Sequence, residues 1–380
     1  MQDSTTRPPY MRSSVAAVAP GGNPTYAPAL PRRMRALHLN ECPFPPSPKV
    51  VEAVREAAAK ANRYPDAQAR ALAGALAART GVDPAAIVFG TGSEELLNLT
   101  TLLALDPGDE VIASTPSFGR YMKSTQLAGG VPVRVKLQPD GRNDVKALVA
   151  AVTPRTRILY CALPNNPTGW INDRDEVEYL VTATPPGVLL AIDEAYFEYA
   201  RHAGGPDVLA ALKKRRGPWI VMRTFSKAYC LAGLRLGYAL CSSPEVAGAI
   251  QRGRTAFNAN ALVQAAALAA LEDEAHLKMV LDSCAAERDR LDAGLRRLGL
   301  APMRTVTNFM SIPVPMKAAS VVKGMEERGI LIGAWAEGGR DDVIRISIGG
   351  PEDTDAVLAA MTEILAVAPR QPASAQRAPA

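Results

Sequence analysis

Apolar and polar residues alternate between residues 86 and 241 in a way that predicts strands and helices in turn. Seven short apolar segments predict strands, and stretches at 93–105, 143–152 and 173–184 have helical spacing. Strands that are apolar on both faces are typical of a mostly parallel sheet covered by helices on both sides. The predicted strands are AIVFG (86–90), DEVIAS (109–114), VPVRVKL (131–137), RILYCAL (157–163), GVLLAID (187–193), PWIVMR (218–223) and LGYALC (236–241).

The pattern changes near residue 270, where one long helical stretch leads into two further helices and three predicted strands: NFMSIPV (308–314), GILIGAW (329–335) and VIRISIGG (343–350). This order predicts a second, smaller α+β domain, with which the segment before residue 60 is expected to pack. The predicted fold class is therefore α/β, with a large domain built on a mostly parallel seven-stranded sheet flanked by helices. The predicted divisions are a flexible segment (1–30), the N-terminal part of the small domain (31–60), the large domain (61–270), the C-terminal small domain (271–367) and a disordered tail (368–380).

Composition narrows the classes of function. The chain has 380 residues and a net charge of +5, but its basic residues are scattered, and the densest cluster, KKRR at 213–216, predicts a solvated loop. We therefore expect no nucleic-acid partner. The first residues lack the apolar core of a signal peptide, and no apolar run reaches the ~18–20 residues that span a membrane. We expect a cytoplasmic protein without a membrane partner.

The five cysteines are odd in number and far apart in sequence, and none forms a CxxC pair. This pattern predicts reduced thiols of a cytosolic protein rather than a disulfide or zinc framework. The cysteines are Cys42, Cys161, Cys230, Cys241 and Cys284.

Small and polar residues follow the predicted strands, at the sheet edge where open α/β proteins bind ligands. GTGSEE (90–95) opens a helix whose N-terminus could bind a phosphate, although a plain tight turn is an equal alternative. The segment is neither a Rossmann fingerprint nor a P-loop, because it lacks the third glycine and the lysine. PNNPTG, which contains Asn165 and Asn166, follows another strand and is by itself a common turn.

Two further strands end at charged residues. Asp193 ends an apolar strand and needs a partner if it is buried, either in a structural salt bridge or with a cationic ligand group. Lys227 follows PWIVMR, and Arg235 lies eight positions later. A lysine with a depressed pKa forms a Schiff base with a carbonyl, although most lysines are solvated surface residues. Together, the phosphate site, acid and lysine match the needs of pyridoxal 5′-phosphate, whereas NAD or ATP would need neither lysine nor acid.

Several motifs of the chain resemble those of one known family. GTGSEE, PSF, PNNPTG, DEAY and SKAYCLAGLRLGY resemble, in this order, the fold-type-I pyridoxal-phosphate aminotransferases. LHLNECPFPPSPKV (37–50), NRYPD (62–66), NFM (308–310) and IRISIGG (344–350) are similar to the histidinol-phosphate aminotransferase subgroup. The resemblance covers roughly residues 35–366 and implies an aspartate-aminotransferase-like fold, with the cofactor in the large domain.

The resemblance implies roles for individual residues. Lys227 would form the Schiff base and move the proton at the substrate α-carbon, and Asp193 would pair with the cofactor's ring nitrogen. Asn166 and Tyr196 would hydrogen-bond its phenolic oxygen, and Arg345 would bind the substrate α-carboxylate. The remaining implied residues contact cofactor or substrate: Gly92, Ser93, Glu94, Thr224, Ser226 and Arg235 around the phosphate, Phe118 on the ring, Asn40 and Asn166 near the substrate, and Tyr64 at the phosphate of the neighbouring subunit of a homodimer.

The chain departs from that subgroup where the substrate phosphate would bind. Gly333 stands where an arginine is expected, and a loose alignment places Gly21 at an expected tyrosine. Each lost charge-assisted hydrogen bond removes about 1.5–3 kcal/mol. We therefore expect a pyridoxal-phosphate aminotransferase that moves an amino group from an L-amino acid or related amine, unphosphorylated and aromatic or apolar, to a 2-oxo acid such as 2-oxoglutarate.

Other functions stay open on sequence alone. A true histidinol-phosphate aminotransferase could hold the phosphate with displaced basic residues such as Arg340 or Arg304. A pyridoxal-phosphate amino-acid decarboxylase could use the same fold. A regulatory effector domain is a third alternative, but residues 1–35 are too short and too rich in proline and glycine for a helix-turn-helix.

Overall fold

The computed structural model describes residues 11–18, 34–335 and 339–367. Most of the predicted N-terminal segment and the tail at 368–380 lie outside the described residues, as does Gly21. Residues 13–16 form a short helix, and the Ser14 hydroxyl donates a hydrogen bond to the Leu127 carbonyl at 3.1 Å. In the described ranges, no helix combines the length and apolarity needed to cross a membrane.

The described residues contain fourteen α-helices and twelve strands. The strands are β1 (Arg35–Ala36), β2 (Ile87–Gly90), β3 (Glu110–Thr115), β4 (Val131–Lys136), β5 (Thr156–Ala162), β6 (Leu189–Asp193), β7 (Trp219–Thr224), β8 (Gly237–Cys241), β9 (Phe309–Pro313), β10 (Ile330–Leu331), β11 (Gly333–Ala334) and β12 (Val343–Ser347). The helices are α1 (Ser13–Ala16), α2 (Pro48–Ala58), α3 (Arg70–Thr80), α4 (Ser93–Ala104), α5 (Arg120–Ala128), α6 (Val145–Ala150), α7 (Arg174–Ala183), α8 (Phe197–His202), α9 (Val208–Leu212), α10 (Pro244–Gly253), α11 (Ala261–Leu271), α12 (Glu274–Arg297), α13 (Ala318–Glu326) and α14 (Pro351–Val367).

The large sheet has seven strands in the order β2-β8-β7-β6-β5-β3-β4. Strand β8 runs antiparallel to both of its neighbours and the other pairs are parallel, so the prediction of a mostly parallel seven-stranded sheet is confirmed. Successive residues of a strand point to opposite faces of the sheet. Helices cover both faces, so apolar residues are buried on each. Ile158 packs in one core cluster and Leu159 in the other, and both are fully buried.

Two smaller sheets lie elsewhere in the chain: the antiparallel set β11-β12-β9 and the parallel pair β1-β10. The predicted single strand GILIGAW is wrong, since β10 and β11 belong to different sheets. The long helix predicted after residue 270 is confirmed as α12, a continuous helix of 24 residues. Helix α11 ends at Leu271, and α12 begins after Asp273, whose side chain accepts a hydrogen bond from the His276 N–H.

The segment predicted as the N-terminal part of the small domain contacts two cores. Strand β1 pairs with β10 near the small sheets. Helix α2 packs instead against α11, and its Val50 belongs to the core cluster of the large sheet. The apolar face of α2 therefore fits the large core, which hydrophobic spacing alone could not distinguish from the small one.

The basic cluster at 213–216 is only partly a solvated loop. The Arg215 guanidinium donates hydrogen bonds to the carbonyls of Val188 at 2.6 Å and Thr184 at 2.8 Å. Burial lowers the pKa of Arg215 to about 10. This arginine stabilises the turn before β6, while the two lysines of the cluster are exposed.

Candidate active site

A cavity of about 440 Å³ lies at the carboxyl ends of β5, β6 and β7. Ala162, Asp193 and Thr224, the last residues of these strands, all line it. Residues from α4, from the small antiparallel sheet and from the segment before α2 complete its wall. Twelve of the residues predicted from sequence line this cavity: Asn40, Ser93, Glu94, Phe118, Asn166, Asp193, Tyr196, Thr224, Ser226, Lys227, Arg235 and Arg345.

Lys227 lies in the turn after β7, with its amine directed at the segment before α2. Its Nζ donates hydrogen bonds to the carbonyls of Leu39 at 3.0 Å and Asn40 at 2.9 Å. Burial lowers the pKa of Lys227 to about 8, and the charges of Arg345 and Arg235 add to this effect. About a tenth of the amine is therefore unprotonated at pH 7, far more than for an ordinary lysine, and the unprotonated form is the nucleophile.

Asp193 ends β6 at the floor of the cavity. Its carboxylate accepts hydrogen bonds from the Tyr121 hydroxyl at 2.6 Å and from the Ala195 N–H at 3.0 Å. Burial raises the pKa of Asp193, and these two hydrogen bonds oppose the increase. Pairing with a cationic ring nitrogen would supply the partner that a buried carboxylate needs.

Tyr121 is a residue that the sequence reasoning missed. It is buried, lines the cavity and stacks on Tyr160 with ring centroids 4.8 Å apart. Burial and the neighbouring Asp193 raise the pKa of Tyr121 well above its usual value, so the hydroxyl stays a donor. The available signal was its position three residues after Phe118, in the first turn of the helix that follows β3.

Gly92, Ser93, Ser226 and Arg235 lie together where α4 begins and form a candidate anion site. Gly92 has a φ of +79°, and a Cβ there would lie 2.6 Å from an Arg235 guanidinium nitrogen. The same guanidinium donates a hydrogen bond to the Ser226 hydroxyl at 3.3 Å. A helix N-terminus beside a guanidinium and hydroxyls is suited to a phosphate. Gly92 therefore acts by leaving space rather than by lining the cavity.

Two other predicted phosphate-site residues have side chains engaged elsewhere. The Glu94 carboxylate forms an ion pair with Arg120 at 2.6 Å. Glu94 can therefore contribute only its backbone N–H at the helix N-terminus. The Thr224 hydroxyl donates to the Leu236 carbonyl at 3.2 Å and accepts from the Ser226 N–H at 3.1 Å. Thr224 thus holds the turn that carries Ser226.

Arg345 and Asn166 meet on the opposite side of the cavity. One Arg345 nitrogen donates to the Asn166 amide oxygen at 2.7 Å, and another donates to the His38 carbonyl at 3.0 Å. Burial lowers the pKa of Arg345, so a carboxylate would be a favourable partner for this desolvated cation. Its oxygen already accepts one hydrogen bond from Arg345, and its amide N–H groups are available as donors to a bound molecule.

Tyr196 and Asn40 form a second pair. The Asn40 amide donates a hydrogen bond to the Tyr196 hydroxyl at 2.9 Å, and burial raises the pKa of Tyr196 to about 12. Tyr196 therefore remains a neutral donor toward the cavity. Asn40, with a φ of +55°, also accepts hydrogen bonds at its carbonyl from Lys227 and Asn308. Asn40 therefore positions two other site residues, Tyr196 and Lys227, through hydrogen bonds.

The cavity has an apolar wall near Arg345. Leu39 and Trp335 contribute to it, and the Trp335 indole donates a hydrogen bond to the Ser311 hydroxyl at 2.9 Å. Phe118 also lines the cavity, with its ring against Tyr121. Trp335 was not predicted as a site residue, since it lies outside the motifs. Gly333 pairs with Arg345 across β11 and β12.

Tyr64 does not line the cavity of its own chain. It is 83% exposed and stacks on Phe257 with ring centroids 4.5 Å apart. Its predicted contact with a neighbouring subunit stays a prediction.

The residues present fit pyridoxal phosphate on three counts. Asp193 supplies a buried carboxylate, Lys227 supplies an amine with a lowered pKa, and the anion site at Gly92 is one that a single Cβ would fill. The cavity is also larger than the lower limit of about 300 Å³ that is usual for cofactor pockets.

Comparisons with known proteins agree with this geometry. A family model described as "Aminotransferase class I and II" matches residues 33–361. The chain is 38% identical over 341 residues to histidinol-phosphate aminotransferase 1 of Mesorhizobium japonicum, covering 90% of this chain and 92% of that one. It is 41% identical over 326 residues to an aromatic amino acid aminotransferase of Rhodococcus opacus, covering 86% and 89%.

A solved structure gives the same result. The histidinol-phosphate aminotransferase of Sinorhizobium meliloti in complex with pyridoxal-5′-phosphate has a TM-score of 0.86 and 32% identity, covering 96% of this chain and 99% of that chain. The predicted fold, cofactor and reaction type are thereby confirmed. The chain belongs to the class I and II aminotransferases and is a pyridoxal-phosphate-dependent transaminase.

Proposed function

We propose that the protein transfers the amino group of an unphosphorylated aromatic or apolar L-amino acid, or a related amine, to a 2-oxo acid such as 2-oxoglutarate. One observation carries the proposal: the wall beside Arg345 is apolar, with Trp335 near it and Gly333 where a phosphate-binding arginine would stand. An aromatic side chain would bury against Trp335, and an aromatic ring contributes a large apolar area.

A phosphorylated substrate lacks a suitable cation in the described part of the cavity. The Lys and Arg residues that line it are Lys227, Arg235 and Arg345, and each already has a proposed partner in cofactor or substrate. Arg340 forms a two-point ion pair with Asp342, at 2.8 and 2.6 Å. Arg304 lies over the Trp170 ring at 3.9 Å. Neither Arg340 nor Arg304 lines the cavity, which argues against the displaced-arginine alternative.

The proposed residue roles follow from the geometry. Bound pyridoxal phosphate supplies an aldehyde that carries the amino group and a ring that accepts electrons. Lys227 would hold the cofactor at its Nζ and then move the proton at the substrate α-carbon. Asp193 would keep the ring nitrogen protonated, and Arg345 would orient the α-carboxylate through its two-nitrogen fork. Asn166 and Tyr196 would donate hydrogen bonds to the phenolic oxygen.

We also propose a homodimer in which Tyr64 contacts the partner's cofactor phosphate, and a cytoplasmic location. The exposure of Tyr64 supports the first, because a stacked aromatic pair at the surface is a common contact residue. Sedimentation of the holoenzyme and mixing of Tyr64→Phe with Lys227→Ala chains would test the shared site.

The division into a large domain and a smaller α+β domain is likewise a proposal, supported by the separate core cluster around β9 and β12.

A substrate panel tests the proposed function. Phenylalanine, tyrosine, histidine and histidinol phosphate are each compared as amino donors by kcat/KM with 2-oxoglutarate. We expect an aromatic amino acid to be preferred, and a preference for histidinol phosphate by orders of magnitude would overturn the proposal. Donor alone should shift the cofactor absorbance from ~420 to ~330 nm, as expected when the cofactor carries the amino group. Release of CO₂ without that shift would indicate a decarboxylase.

A further inference from the structure

Two cysteines that are far apart in sequence meet beside the catalytic lysine. The sulfurs of Cys42 and Cys230 lie 2.6 Å apart, although 188 positions separate the residues. Cys42 is two residues after Asn40, and Cys230 is three residues after Lys227. Both thiols are half-buried, whereas Cys161, Cys241 and Cys284 are buried. A small oxidant can therefore reach this pair more easily than the other cysteines.

Backbone geometry adds a second observation. Cys230 has a φ of +60°, in the left-handed region where glycine is favoured. A residue with a Cβ is disfavoured there by steric contact with the backbone. The turn is held by the Cys230 N–H, which donates to the Lys227 carbonyl at 3.0 Å. The chain thus keeps a sulfur at a position where glycine would be more stable, and this sulfur faces Cys42.

The two thiols are also chemically unequal. The hydrogen bond from Cys230 lowers the pKa of Cys42, with the Phe44 N–H contributing, against the effect of burial. The same hydrogen bond raises the pKa of Cys230, and burial adds to it. Cys42 is therefore the better thiolate, and Cys230 is placed to resolve an oxidised Cys42.

We propose that Cys42 and Cys230 form a redox modification site, at which hydrogen peroxide converts the two thiols into an intramolecular disulfide that slows turnover. The Cys42 thiolate would attack one peroxide oxygen. The S–O bond forms, the O–O bond breaks, and the leaving hydroxide takes a proton to become water. The Cys230 sulfur then attacks the sulfenic sulfur, so that the S–S bond forms and the second oxygen leaves as water. Both sulfurs are oxidised, and one peroxide is reduced to two waters.

The site connects to catalysis through Asn40 and Lys227. The carbonyls of Leu39 and Asn40 accept hydrogen bonds from the Lys227 amine, and the Asn40 amide donates to Tyr196. A disulfide would join the segment that contains Leu39 and Asn40 to the turn that carries Lys227. The amine must leave these carbonyls to act at the cofactor or substrate, so a tether that holds them in place would slow each exchange.

The test uses the holoenzyme, titrated with hydrogen peroxide and then treated with dithiothreitol. We expect the loss of two thiols per chain, a Cys42–Cys230 cross-linked peptide in a non-reduced digest, and a fall in kcat that dithiothreitol reverses. Cys42→Ser and Cys230→Ser should each prevent the cross-link and the reversible fall. Cys284→Ser, a matched change at a buried thiol, should leave both intact.

Three results would overturn the proposal. The cross-linked peptide could be absent while thiols are consumed elsewhere. Alternatively, kcat could stay unchanged when the cross-link is complete, or the reversible fall could persist in both serine variants. Because thiol counting and peptide mapping do not depend on the amino donor, they test the site separately from the proposed substrate.

Discussion

Replacement of Gly333 by arginine tests the substrate proposal most directly. A Cβ at this position would approach no atom more closely than the Arg345 carbonyl oxygen at 3.7 Å and its guanidinium nitrogen at 3.8 Å. These are ordinary van der Waals distances, and Gly333 does not have a positive φ. The strand should therefore accept a side chain, which would begin next to the proposed carboxylate-binding arginine.

The expected gain follows from one new charge-assisted hydrogen bond. Such a bond to a phosphate contributes about 1.5–3 kcal/mol, or about 10- to 150-fold in kcat/KM. Arg345 beside the new guanidinium opposes this gain by like-charge repulsion. We therefore expect Gly333→Arg to raise kcat/KM for histidinol phosphate by about tenfold, the lower end of that range.

The assay compares histidinol phosphate with phenylalanine at equal ionic strength, in the original chain and in two variants. Gly333→Gln is the matched control, since it adds a polar side chain without the charge. A gain in the glutamine variant equal to that in the arginine variant would refute the electrostatic reasoning. An unchanged kcat/KM for histidinol phosphate in an arginine variant that still uses phenylalanine would show that position 333 does not face a substrate phosphate.

Other predictions concern the cofactor site. Because burial lowers the pKa of Lys227 to about 8, its amine loses its proton as the pH rises. The rate at which apoprotein binds pyridoxal phosphate should therefore increase from about pH 7 to about pH 9, and a flat profile in stopped-flow absorbance would contradict this. Tyr121→Phe removes the 2.6 Å hydrogen bond to Asp193, which should weaken cofactor affinity by about tenfold or more in equilibrium dialysis; unchanged affinity would show that the bond is not needed. Gly92→Ala should also weaken the affinity, because its Cβ would lie 2.6 Å from a guanidinium nitrogen. Gly81→Ala is its control, with a similar φ of +71° and nothing within 4 Å, and equal effects would refute the steric argument.

Much of the large sheet could be predicted because its information is local. Continuous apolar segments between turn residues located all seven strands to within two residues at each end. The two errors arose where local periodicity is ambiguous. Residues 330–334 form one apolar run but pair with two different partners, and α2 has an apolar face that either core could have covered.

Residue type and spacing are properties of the chain, so the order of the elements and the residues proposed to hold pyridoxal phosphate could be read from the sequence. Tertiary structure decided which side chains meet. Tyr121 reaches Asp193 across 72 positions, and Trp335 reaches the cavity from a separate sheet. Cys42 and Cys230 appeared unrelated in sequence, yet their sulfurs lie 2.6 Å apart. Such contacts depend on how distant segments pack, since hydrophobic burial is not directional and does not specify partners until the whole core is assembled.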